Sequence, residues 1–409
     1  MASTVQSAAE SIPAHVPRDL VRSYNLSIWG DVVEDPLGFW RRVRSEAPDL
    51  FYVGPYDNSP GHWVVQGAGL VREVFQTPEL FSSASTGAAG GARIWPRRLV
   101  PLELDPPEHA KYRALLSRYF SPMTIDRLEN HILKLAGGFV EKFAARGECD
   151  FMAEFARPFP VTIVMELLGL PLEERPQFSA WEHEMFQGET IDKRRVAGVA
   201  VAQYLSDLIR RKREKPADDV ISYLIGCEVD GAPIGQEPLE DICFLLYIAG
   251  LDTVTGALGH IFRWLAEHPE AQAELRANPA KIPDANEELL RYHSWISTVR
   301  TVTRDTPFHG VQLHAGDTMF ILTNRGSNDP RETPHPDTVD FHRESNPHFA
   351  FGGGVHRCLG SHLARRELRV AVAQMFERVP PFRIRPGAKL RYDGGLVCLS
   401  SLPLVWDRA

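Results

Sequence analysis

The chain has 409 residues, 44% of them hydrophobic and 24% charged, with a formal net charge of −8 and a pI near 6.0. It is long enough to bury a large core and enclose a cofactor. Its acidic balance argues against an overall nucleic-acid or anionic-membrane binder, though not against a local basic patch.

The opening residues, MASTVQSAAESI, carry no basic segment followed by an apolar one, so no secretion signal is expected. Residues 1–17 read as a flexible arm ahead of one domain over 18–409. HWVVQ (62–66) is expected to be a strand. From Pro107 onward helical periodicity dominates, over 108–119, 126–145, 159–168 and 194–215. Residues 238–268 read as one unusually long helix, closed by Pro269, and another helix follows over 285–292. The segment 301–321 carries β-type residues with Gly310 and Gly316 at turns, a hairpin pattern. A loop rich in Pro, Asn and Asp (328–347) precedes a Gly-rich segment, a last helix over 359–378, and short strands within 382–406. The expected fold is mainly α with small β-sheets. The longest unbroken apolar run, 243–251, falls far short of the roughly 20 residues that span a bilayer. Cys149, Cys227, Cys243, Cys358 and Cys398 are scattered and form no C-x-x-C. A disulfide framework or zinc site is therefore not expected, and a cytoplasmic location fits best.

The most informative segment is Phe351-Gly352-Gly353-Gly354-Val355-His356-Arg357-Cys358-Leu359-Gly360. Three glycines permit close backbone approach to a planar group. Cys358 then falls near a helix start, where exposed N–H groups favour a thiolate. An isolated Cys in such a turn is more often a small buried hydrophobe. The ten-residue pattern, however, resembles the haem-binding signature of the cytochrome P450 family. The resemblance implies haem b (iron protoporphyrin IX) with Cys358 as axial metal ligand, Phe351 shielding the sulfur, Gly360 closing the motif, and His356 on a haem propionate.

Distant segments carry the same resemblance. Glu288-Leu289-Leu290-Arg291 is similar to the family's E-x-x-R, completed by Arg343 in VDFHR. The pair alone would be an ordinary surface contact, but the resemblance implies a buried triad. Ala249-Gly250-Leu251-Asp252-Thr253 interrupts the apolar long helix with an acid, which is costly there without a task or partner. It resembles the oxygen-activation motif, in which Asp252 would relay protons and Thr253 would hold the reduced oxygen and its water. Gly250 and Thr253 are expected to open the helix there. Asp105-Pro106-Pro107-Glu108-His109 with Arg113 is similar to the family's haem-edge helix. His109, Arg113 and Arg300 would join His356 on the propionates. The implied fold is the family's helical prism enclosing haem.

The likeness is to bacterial, ferredoxin-dependent members that hydroxylate camphor. It implies an oxidoreductase that uses O2 and two electrons from a [2Fe-2S] ferredoxin and its NADH-dependent reductase. Leu245, Ile248, Ile296 and Val397 would line an apolar pocket suited to a small cyclic hydrocarbon. The segment over 90–105 holds no Tyr to orient a ketone. Trp95 and Phe186 become the candidate contacts, which turns the expectation from camphor to another terpenoid or norisoprenoid. Arg72, Arg113, Arg365 and Arg366 are candidates for a basic ferredoxin-docking patch. A monomer is expected. A peroxide-driven peroxygenase and a non-catalytic haem sensor remain alternatives, both at odds with the Asp252–Thr253 pair.

Overall fold

The computed structural model describes residues 12–26, 35–55, 61–84, 95, 97–188, 190–393 and 397–408. Thirteen α-helices are found among them: α1 (Pro36–Glu46), α2 (Ala68–Gln76), α3 (Glu108–Tyr119), α4 (Pro122–Ala144), α5 (Pro158–Leu168), α6 (Arg175–Gln187), α7 (Ile191–Glu214), α8 (Val220–Ile225), α9 (Gln236–Glu267), α10 (Pro269–Ala277), α11 (Ile282–His293), α12 (Thr323–Ser327) and α13 (Ser361–Arg378). Local sequence sets their ends. Ser121 caps α4 through Thr124 N–H, with Pro122 in the first helical position. Gly169, in the left-handed region, closes α5.

The expected helices are all present, with ends shifted by up to four residues. The long helix, α9, runs unbroken through Gly250 and Thr253, so the expected opening does not occur. A Cβ on Gly250 would overlap Val164 of α5. The glycine therefore serves close helix packing rather than a break. By length and composition α9 could cross a membrane, which no short apolar run had suggested. Yet 67% of its most apolar stretch is buried inside the protein, as in a core helix.

The main sheet has six strands in the order β1 (Val21–Arg22), β2 (Leu50–Val53), β3 (His62–Val65), β11 (Thr318–Ile321), β8 (Thr298–Val302) and β4 (Phe81–Ser82), while β5 (Glu148–Asp150), β6 (Glu228–Val229) and β7 (Ala232–Pro233) lie in smaller sheets. The hairpin expected over 301–321 is more divided than its pattern suggests. β9 (Thr306–Phe308) and β10 (Val311–Leu313) form a two-stranded ribbon, while β8 pairs with β11 across it. Residues 1–11 of the expected arm lie outside the described residues. From Pro13 the chain is held down: Val16 is buried and the His15 ring meets Asp317 at 3.1 Å.

Two of the apolar core's clusters share α9. One packs α4, α5, α9, α11 and α13 together. Another packs α5 and α7 on the N-terminal half of α9. Leu246 of α9 and Leu359, the residue after Cys358, pack against both clusters. The cysteine loop and the middle of α9 thus border the same seam.

Candidate active site

Cys358 lies three residues ahead of α13, in the turn after a short 3-10 segment, rather than on the helix itself. Its N–H donates to Phe351 O at 2.9 Å, closing the loop into a ring of eight residues, 351–358. The glycines are fixed by α2 as much as by any planar ligand. Gly354 has φ +62°, and a Cβ there would overlap the Phe75 carbonyl oxygen. A Cβ on Gly353 would press into the Phe75 ring. Phe351 is covered by the Arg365 guanidinium, 4.4 Å from its ring centroid.

Cys358 is the exposed cysteine; Cys149, Cys243 and Cys398 are buried and Cys227 is intermediate. Its exposure lies between core elements, and burial pushes its thiol up. The Gly360 N–H, Arg113, Arg357 and Arg365 oppose that shift without cancelling it. The helix-start effect expected from sequence is therefore supplied by one backbone N–H and three arginines. A coordinated cation would complete the stabilisation of the thiolate.

His109, Arg113, Arg300 and His356 converge beside this loop. The His109 and His356 rings lie 4.3 Å apart. Arg113 donates to Arg357 O at 2.6 Å. Arg300 is buried in β8, donates to Val299 O at 2.7 Å, and lies over Phe75. Burial, then Arg300, His109 and Arg113, hold His356 down at about 3. Burial brings Arg300 down to about 10, with Asp105 in partial opposition. Among the described residues His356 Nε2 is buried with no hydrogen-bond partner. Four donors that repel one another, one of them orphaned, suit an anion with several carboxylate oxygens. With one accessible thiol alongside, this donor set fits haem b and its two propionates. Asp105 anchors the start of α3 to β4: it accepts the Ser83 N–H at 2.9 Å, bonds the Ser82 hydroxyl, and its carbonyl receives the His109 N–H.

The charged triad has formed and is buried. Arg291 donates Nε and Nη2 to the two Glu288 oxygens, each at 2.7 Å, and Arg343 Nε donates to Glu288 Oε1 at 2.9 Å. Asn328 is a member the sequence did not mark. Its Oδ1 accepts from Arg291 at 2.6 Å, while its amide donates to the Arg291 and Tyr292 carbonyls. Carbonyls of Pro334, His335, Pro336 and Thr338 accept further guanidinium protons. The loop over 328–347 is thereby tied to α11.

On α9, Thr253 donates its hydroxyl to Ala249 O at 2.9 Å. Ala249 is exposed although Ile248 and Leu251 beside it are buried, so this turn of α9 is accessible. Asp252 is hydrogen-bonded to Glu182 of α6, a partner that WEHEMFQ gave no pattern to suggest.

The candidate pocket residues are not all alike. Leu245 and Ile296 are half-buried and Ile248 is buried. Thr323 Oγ1 fixes the Ile296 carbonyl. Phe186 is half-buried on α6 and packs on the α7–α9 cluster. Val397 is buried in a cluster with Phe39, Trp40 and Val64, and its carbonyl meets His260 Nε2 at 3.0 Å. Trp95 stacks on Phe244 at 4.4 Å and donates its N–H to Asp241 at 2.8 Å. That N–H is thus not available to orient a substrate carbonyl. Residues 85–94 and 96 of the same segment lie outside the described residues.

The basic docking patch is also corrected. Arg72 is paired two-pronged with Glu332 at 2.9 and 2.6 Å. Arg365 is paired with Glu287 at 2.6 and 2.8 Å. Arg366 is paired with Asp126 and Glu129. Three of the four cations are locally neutralised.

The cytochrome P450 family profile matches residues 181–386. A probable cytochrome P450 127A1 from Sinorhizobium fredii is 34% identical over 404 residues, 97% of each chain. The crystal structure of CYP101J2 superposes with TM-score 0.86 at 33% identity, covering 97% of this chain and 99% of that one. CYP101C1 gives TM-score 0.87 at 30% identity, covering 97% and 100%. A full-length relative at this identity, two solved structures of the same fold, and a thiol loop beside a propionate-type donor set agree. The chain belongs to the cytochrome P450 family, haem-b-binding monooxygenases.

Proposed function

We propose that this monooxygenase takes electrons from a [2Fe-2S] ferredoxin served by an NADH-dependent reductase, and hydroxylates a small, rigid, largely hydrocarbon ring of the terpenoid or norisoprenoid type. It acts as a cytoplasmic monomer, its haem-binding chain forming one domain over 18–409. The observation that supports the substrate class is the accessible turn of α9 at Ala249, with Leu245 and Ile248 beside it; Ile296 would add a further apolar wall. Such a surface offers little to a polar ligand and much to a compact apolar one. The likeness to CYP101J2 and CYP101C1 supports the same reading.

Haem b, when bound, supplies the iron at which dioxygen is activated. Cys358 would ligate it, with Phe351 to shield the sulfur and the Gly360 N–H directed at it. His109, Arg113, Arg300 and His356 would hold the propionates by charge and N–H donation. Asp252 and Thr253 would bring protons to the oxygen side. Thr253 already donates its one hydroxyl proton to Ala249 O, so it offers its oxygen as an acceptor. The apolar walls exclude water and set the position of the ring.

The test has two arms. The reduced protein with carbon monoxide should show the strongly red-shifted Soret band of thiolate-ligated haem, and Cys358→Ala should abolish it. A band surviving in Cys358→Ala would assign the ligand elsewhere. Cyclic terpenoids and norisoprenoids should shift the spin state at lower concentration than macrolides or steroids, and the reverse order would sink the substrate assignment.

A further inference from the structure

Arg325 of α12 is 3% exposed, and its Nε is enclosed without a hydrogen-bond partner. Among the described residues its guanidinium forms no hydrogen bond and no ion pair, although charged groups surround it. Asp337 is taken by Arg41 Nε at 3.4 Å and by Arg44 Nη2. Asp329 and Asp49 are both taken by Arg331, at 2.7 and 2.6 Å. These four arginines thus meet three aspartates, and the cation left without an anion is the most deeply buried of the four. Burial, then Arg44, bring Arg325 down to about 10, with Asp337, Asp329 and Asp49 opposing. It keeps its charge at neutral pH, and a buried charge without a counter-ion is costly.

Arg325 borders a cavity of about 10 Å3, room for one water-sized particle. Its walls include Trp40 and Arg41 of α1, Tyr292 of α11 and Asp337. The Tyr292 hydroxyl accepts from Arg41 Nη2 at 2.9 Å, which leaves its own proton to donate. We propose that this cavity binds one small monovalent anion of the halide class, physiologically chloride, which neutralises Arg325. The volume excludes phosphate, sulfate and organic carboxylates. Asp337 is the one wall group that would repel an anion, and Arg41 and Arg44 offset its charge. The occupant joins α1, α11 and α12 to the loop over 328–347, whose Arg343 belongs to the buried triad. This site is independent of the haem, oxygen and substrate assignments.

The experiment uses the full-length, haem-loaded protein, with potassium chloride and bromide as probes. Potassium gluconate serves as a salt of equal charge whose anion is too large for the cavity. Crystals soaked in bromide should show an anomalous-scattering peak beside the Arg325 guanidinium. Replacing gluconate by chloride at equal ionic strength should raise the melting temperature by about 2 °C. Arg325→Gln should lose both the peak and the shift. In gluconate this variant should melt no lower than the parent, because the uncompensated charge is gone. A cavity that holds only water in the bromide-soaked parent would refute the site, even if the variant failed to fold. An equal chloride effect in Arg325→Gln would be a general salt response and would refute it as well. A bromide peak without the chloride-specific shift would mark an adventitious ion only and overturn the proposal. So would a variant melting well below the parent in gluconate, since the protein itself would then satisfy the guanidinium.

Discussion

Glu288 and Arg291, three residues apart on α11 and both with no solvent exposure, meet in a two-pronged ion pair with 2.7 Å contacts. Arg343 and the Asp340 N–H complete the coordination of the carboxylate, each at 2.9 Å. Glu288→Gln would leave two guanidinium groups facing no anion. Loss of one partner from a buried pair costs about 3–5 kcal/mol, because the remaining charge stays desolvated. Chemical denaturation should therefore show Glu288→Gln destabilised by that order, with poor soluble yield. A loss below about 1 kcal/mol, the size of a surface pair, would mean that Asn328 and the loop carbonyls alone satisfy the arginines.

Gly354→Ala is expected to disrupt the cysteine loop selectively. Its φ of +62° is unfavourable for alanine, and the new Cβ would overlap the Phe75 carbonyl. Backbone cannot yield as a flexible side chain can, so the loop must lift from α2. The protein should fold, since α9 and its clusters are untouched, but retain much less haem per chain. The ratio of Soret to aromatic absorbance reads this directly. Normal haem content in Gly354→Ala would show that the loop relaxes without cost.

Glu287, beside Glu288 on α11, faces outward to α13. Burial raises its carboxyl, but the hydrogen bonds from His348 and Arg365 outweigh that and hold it down at about 2. A carboxyl lower in the folded than in the unfolded chain stabilises above its unfolded pKa of roughly 4.3. That contribution disappears as pH falls through the folded value. Stability should therefore decline between about pH 5 and pH 2 by on the order of 2 kcal/mol from this group. Glu287→Gln should be less stable at pH 7 and show a flatter acid limb in pH-dependent melting. An unchanged limb would assign acid sensitivity to other carboxylates.

The helices were legible because α11 buries a face that recurs at helical spacing and α9 is a long segment buried nearly all round over 254–262. The motif residues were legible because their chemistry fixes residue type. What could not be read was pairing across sequence distance. Glu182 lies 70 positions from Asp252 on a helix with no marked pattern. Asn328 looked like one more polar loop residue. Phe75, which dictates Gly353 and Gly354, lies on a helix nearly three hundred positions away. The arginines expected to form a patch were judged singly, and only the fold revealed Glu332, Glu287, Asp126 and Glu129 against them. Likewise nothing near Trp95 in the sequence marks Asp241 as the acceptor of its N–H.

Thr253 offers the sharpest check on the chemistry. Its hydroxyl proton is committed to Ala249 O within an unbroken helix. The oxygen lone pairs are what it can present to the accessible turn of α9. Thr253→Ala removes that acceptor without disturbing the helix, since alanine is the better helix former. Electron uptake and substrate binding should persist, while product per NADH falls and hydrogen peroxide rises to account for the difference. Thr253→Ser keeps the hydroxyl and should restore most of the coupling. Thr253→Val keeps the shape without the hydroxyl and should behave like Thr253→Ala. If Val couples as well as Ser, packing rather than hydrogen bonding is the function of this side chain, and the proton route must bypass it.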